Sequence, residues 1–200
     1  MFQLAQLLKN GNAYTGHKGV AGKIFIEHSN EVWNFGFKQY TLNKAAAAWE
    51  VNATHGKSNL AGNFFPGFRH DGWANCEYTP DLKNQECWAH RRHARRVWEI
   101  GETFARVFGS DAIGKQILPV YASWTNPGRW NEYYNHTLKW LAHVSGKPVS
   151  DAVKYLAFTS YFGPDKSYTP SYGKMTPAQI ADLYYEAAEN TTTRTQWFAS

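Results

Sequence analysis

The chain has 200 residues, of which 43% are apolar, 18% charged and 16% aromatic, and a formal charge of +5. This is a globular balance with enough residues for one domain with a real core, and it excludes a disordered tail, a collagen repeat and a heptad array. No apolar run approaches the roughly 18 residues needed to cross a bilayer, so no membrane partner is expected.

The opening MFQLAQLLKNG has no basic leader, an interrupted apolar stretch and no small-residue cleavage site, and so makes a poor signal peptide. Phe2, Leu4, Leu7 and Leu8 instead fit one face of a short helix that stops at Gly11. A chain that opens on a lone amphipathic helix reads as one with a part upstream. Residues 23–29, KIFIEHS, alternate between Ile24 and Ile26 on one face and Phe25 and Glu27 on the other, which predicts a short buried strand. Over 35–51, Leu42, Ala45, Ala46 and Trp49 fall at i, i+3, i+4 and i+7 and predict a helix.

From about Asn52 to Gln85 no period survives, and Gly, Asn, Pro and aromatic residues dominate. A loop this long inside a compact domain is uncommon and usually functional. Cys76 falls in this region and Cys87 just past its end. They would close a small loop in an exported protein or stay thiols in a cytosolic one, and their number leaves both open. Helical spacing resumes near residue 86, with Val97, Ile100, Phe104, Val107 and Phe108 as an apolar stripe and Gly109 as its stop. ILPVYASW (117–124) has strand length, a helix follows from about Trp130 to Val144, and YLAFTSYF (155–162) reads as another strand. Thr176-Pro177-Ala178-Gln179 is a helix start, with Thr as cap, Pro at the first position and Gln three residues on.

Strands that alternate with helices and lack polar alternation predict an α/β fold, a parallel sheet covered on both faces. The expected organisation is a single domain over 1–200 with 52–85 as an inserted irregular loop. Three visible strands make neither a closed barrel nor a complete doubly wound sheet, and no internal repeat is detectable.

The segment that carries chemistry is IFIEHSNEVWN, 24–34. Asn30-Glu31 sits where the first strand ends, and parallel α/β folds bind ligands at the carboxyl ends of strands. A carboxylate there, followed by Trp33, can serve as a general acid in an aromatic-walled cleft, where burial would raise its pKa toward the working pH. The competing reading makes Glu31 a helix N-terminal carboxylate favoured by the dipole.

EHSNEVWN, with the helix before it and the run after it, resembles strand four of clan A glycoside hydrolases. It is most similar to bacterial cellulase-like or cellulose-binding-like barrel proteins whose strand reads close to VEYSNEVWN. On that resemblance the first helix precedes strand four, ILPVYASW is similar to strand five, and YLAFTSYFGP is similar to strand six. The resemblance implies a partial (β/α)8 TIM barrel with a long inserted loop and a retaining hydrolase acting on a polysaccharide such as a β-glucan. It implies Glu31 as general acid/base and Asn30 as the amide that bonds the sugar 2-hydroxyl. Tyr161 matches a Tyr that follows strand six and touches the nucleophile. Thr159 stands where many relatives have His, which is a departure. Trp33 and Trp124 are candidate sugar platforms, and packing under a loop is their other reading. The family's nucleophile is a Glu ending strand seven. After the helix near 177–190 the chain offers only TTTRTQWFAS. The expectation is therefore a fragment, inactive alone, of a parent that is extracellular or periplasmic.

Two other classes were weighed. HRRHARR (90–96) puts four Arg on about two turns, either as a phosphate-tracking patch or as the solvated outer face of a barrel helix. The second is favoured, so no nucleic-acid partner is expected. A non-catalytic carbohydrate-binding protein is the serious alternative, with Phe64, Phe65, Phe68, Trp73 and Tyr78 in an aromatic loop. His90 and His93 lack a third ligand at metal-binding spacing, and no nucleotide or nucleophile-elbow motif occurs, so neither metal nor cofactor is expected.

Overall fold

The computed structural model describes residues 1–62, 76–124, 129–159 and 174–182. Along the chain run α1 (Phe2–Asn10), β1 (Ile24–Glu27), α2 (Lys38–Ala53), α3 (Gln85–Phe108), a 3-10 turn (Ser110–Ala112), β2 (Ile117–Trp124), α4 (Arg129–Ser145), α5 (Val149–Ala152) and β3 (Tyr155–Thr159). The chain divides into two compact units, Met1–Ser123 with Tyr133–Ala157, and Trp124–Glu132 with Phe158–Ser200. In the second, residues 177–182 are helical. Thr176 caps them as expected: its Oγ1 accepts the Gln179 N–H at 3.3 Å, and the Thr176 N–H donates back to Gln179 Oε1 at 2.9 Å.

The fold is α/β, with a small parallel sheet of three strands in the order β1-β2-β3. Ile24 stands beside Ile117 and Glu27 beside Val120. Ile26 and Ile117 turn to one face and pack with Ala5 of α1 and with Ile100 and Phe104 of α3. The other face is not covered in the same way. Phe25 stays 59% exposed and Tyr155 44%, and the two rings meet edge to face at 5.3 Å. On that same face Leu118 and Val120 of β2 are nonetheless buried, at 1% and 8% exposure.

α1 ends where expected, at Gly11, whose φ of +77° and close approach to the His17 carbonyl leave no room for a side chain. Of the apolar residues read on its face, Leu8 packs against the core. Phe2, Leu4 and Leu7 remain 43–48% exposed, and Ala5 fits against the core. α2 is reversed more completely. Leu42 and Trp49 are 61% and 74% exposed, while Tyr40, Asn43, Ala47, Ala48 and Val51 face inward. Four consecutive alanines (45–48) give the helix no directional signal, so its packing face is set by Asn43, whose amide donates to the Ala89 carbonyl of α3 at 2.8 Å.

α3 carries the apolar stripe as read, with Val97, Ile100 and Phe104 buried. Its basic run does not lie on a solvated outer face. Arg91 is 0% exposed, donates to the carbonyls of Leu60 and Gly62 at 2.9 and 2.8 Å, and lies over the Trp140 ring of α4. Arg92 donates to Asn43, Arg95 forms two bonds to Glu50, and Arg96 bonds Glu99. Buried carbonyls and carboxylates on neighbouring segments draw each guanidinium inward or along the chain. Cys76 and Cys87 are joined as a disulfide that ties the residue before the turn at 77–84 to the first turn of α3. The two Cα atoms are 5.3 Å apart, within the usual span for such a bridge.

Candidate functional site

β1 ends at Glu27, and the chain then turns sharply through His28, Ser29, Asn30 and Glu31. Ser29 and Glu31 both have left-handed backbone, with φ of 66° and 47°. Each such residue costs about 1–2 kcal/mol when it carries a side chain. Two of them within three residues, at the carboxyl end of a parallel strand, mark stored strain where ligands commonly bind.

The turn is held by its own side chains. The Asn34 backbone N–H donates to the Glu31 carbonyl at 2.9 Å, and the Asn34 amide donates to the Glu31 carboxylate at 3.0 Å. Gln39 at the start of α2 donates to the Asn30 carbonyl at 2.7 Å, and Asn30 itself is exposed. Glu31 is half-buried and lies seven residues before the start of α2. The helix-terminus reading of Glu31 is therefore set aside, because the helix dipole acts only over its first turn.

A second carboxylate belongs to this end. Glu27 is held above the usual carboxylate range, first by partial burial and second by the negative charge of Glu31. Glu27 is exposed over much of its surface, so solvent weakens the effect.

Behind the turn the packing is tight. Val32 and Trp33 are 2% and 7% exposed and pack with Tyr40, Asn43, Ala89, His90 and His93 around a narrow crevice with no room for a water molecule. Trp33 thus packs under the loop and offers no open ring face to a sugar. Tyr40 donates to Glu86, whose other oxygen pairs with Lys44. On the helix-covered side of the sheet, His28, His93 and Tyr121 form a row with ring centroids 5.7 and 4.7 Å apart, and Tyr134 of α4 meets Tyr121 edge-on at 6.4 Å.

The remaining sequence candidates are scattered. Trp124 is the last residue of β2. Tyr161, Phe64, Phe65, Phe68 and Trp73 lie outside the described residues. Tyr78 is half-buried, with its hydroxyl 3.5 Å from Asn52. Among the described residues no group of three His, Cys, Asp or Glu is arranged to hold a metal, and no helix is long and apolar enough to cross a membrane.

The sequence reading missed Glu27 and His28, and weighed His93 only as a metal ligand or within the basic run. Glu27 lies four residues before Glu31, so the spacing held a signal for a carboxylate pair across the turn. His90 and His93 extend the stripe of Val97, Ile100 and Phe104 toward the start of α3, which was the signal that they point inward. No family model matches this chain, and neither the curated proteins nor the solved structures contain a match.

Proposed function

We propose that the carboxyl end of β1 is one wall of a glycoside hydrolase site, with Glu31 as the general acid/base and Asn30 as the amide facing the sugar. The observation that carries this reading is the strained turn, in which Asn34 orients the Glu31 carboxylate near Glu27, whose carboxyl is raised first by burial and second by Glu31. Such a carboxylate can protonate a leaving glycosidic oxygen and later activate water. The substrate is a polysaccharide such as a β-glucan.

The wider setting is a partial (β/α)8 barrel. Neighbouring strands follow chain order, and α1 and α3 cover one sheet face, as in a barrel whose helices form an outer ring. The exposed apolar Phe25 and Tyr155 on the opposite face suit a barrel interior. The three described strands then stand for strands four to six. A retaining mechanism needs a second carboxylate roughly 5–5.5 Å from the acid/base, and among the described residues no strand seven is present to bring it. The disulfide favours an oxidising compartment, hence an extracellular or periplasmic parent.

A non-catalytic carbohydrate-binding role is the second reading, favoured by the same exposed Asn30 without a described nucleophile. The two separate on an insoluble β-glucan. The hydrolase-fragment reading expects retention of the full chain without release of reducing sugar, and release once strand seven is supplied by a longer chain, abolished by Glu31→Gln. Retention without release in both chains supports binding alone, and no retention by either overturns both.

A further inference from the structure

The row behind the turn has a property that sugar chemistry does not require. His93 is 1% exposed, and among the described residues neither ring nitrogen has a hydrogen-bond partner; the same holds for His28 Nδ1 and Tyr121 Oη. Buried polar atoms are normally bonded, and imidazoles packed this way persist only while neutral. We propose that His28 and His93, stacked toward Tyr121, form an acid-released latch whose protonation drives α3 off the carboxyl ends of β1 and β2.

The groups around the row explain why it opens on protonation instead of finding a partner. From α3 the neighbours are His90, Arg92 and Arg96, all neutral or positive. From β2 and α4 come Tyr121 and Tyr134, and from α2 and the turn come Tyr40, Asn43 and Trp33. The carboxylates on these elements are engaged: Glu86 by Tyr40 and Lys44, Glu50 by Arg95, Glu99 by Arg95 and Arg96, Glu102 by Lys147 and Trp98, and Glu31 of the turn by Asn34. Glu27 lies on the opposite sheet face, in register with Val120.

Charges and burial act in the same direction. Burial, then the Arg92 and Arg96 charges, push His28 down to about 4. Burial takes His90 down to about 3 and holds His93 well below the ordinary value, where the charges of His28 and His90 add to the effect. With the folded values depressed, the stability they contribute is complete above about pH 6.5, the unfolded value, and falls as pH drops toward 4. The first proton that enters a row of packed imidazoles makes the site intolerable for the rest. The latch releases cooperatively within that window. It sits three residues from Glu31, yet it does not depend on the hydrolase reading.

The test is an acid titration of the full chain, following the histidine ring resonances and the near-ultraviolet circular dichroism together. The expected result is that His28 and His93 remain neutral through pH 6.5 and protonate in one step, between about pH 4 and 6, as the aromatic dichroism collapses. His93→Phe and His28→Gln each lower that midpoint by about one pH unit, since each removes a proton site. His17→Gln, at an exposed site, leaves it unchanged. If a latch variant does not fold, the wild-type titration decides alone. His93 titrating near pH 6.5 with intact dichroism overturns the proposal. So does a midpoint that His17→Gln moves as far as the latch variants do.

Discussion

The α3 layer and the end of β1 lie close in the fold and are built on opposite plans. Around α3, strong polar groups are buried and bonded: Arg91 holds the Leu60 and Gly62 carbonyls, the Trp88 indole donates to the Cys76 carbonyl, and the Trp140 indole donates to that of Asn59. At the end of β1 the backbone is strained at Ser29 and Glu31, and Asn30 is exposed. The difference teaches where stability and function are divided. Beside these bonds α3 also buries His93, with neither ring nitrogen partnered among the described residues, and the adjoining turn carries strain that serves something other than folding.

The comparison can be broken most severely at Arg91. Arg91→Met should cost about 3 kcal/mol or more in urea unfolding, because two buried carbonyls lose their donor together. Arg91→Lys should recover less than half of that, since one ammonium cannot bond both carbonyls and also stack on Trp140. A cost below about 1 kcal/mol for Arg91→Met would mean that the layer does not rest on this residue.

The turn should behave in the opposite sense, on a smaller scale. Ser29→Gly removes a side chain from left-handed backbone and should stabilise by about 0.5–1 kcal/mol, after the greater unfolded-state freedom of Gly is allowed for. Ser29→Val should destabilise. Thermal melts of the two variants beside the wild type check the order, and a loss of stability in Ser29→Gly would show that the turn is not strained.

The same contrast explains what could be read in advance. The elements were legible because strand and helix periods are local: β2 occupies 117–124 as read, α3 ends at Gly109, and Thr176 caps its helix. The packing faces of α1 and α2 were not legible. Size and hydropathy favoured Leu42 and Trp49, whereas close approach to α3 selected Ala47, Ala48 and Asn43. The basic run misled for a related reason. Four Arg in seven residues resemble a surface, and only the tertiary positions of Leu60, Gly62 and Glu50 draw them in. Of the site, Asn30 and Glu31 could be found from the strand end. The strain at that turn and the Glu27 coupling needed φ values and neighbours that no spacing contains.

The most direct test of the central claim is an amide-resonance titration of the full chain with a soluble β-glucan oligosaccharide. The account expects shifts concentrated on residues 28–34, with Asn30 and Glu31 largest. It also expects at least tenfold weaker binding in Asn30→Ala, about 1.4 kcal/mol for one lost sugar hydrogen bond. Binding centred elsewhere with residues 28–34 unmoved, or the same affinity in Asn30→Ala, would contradict it.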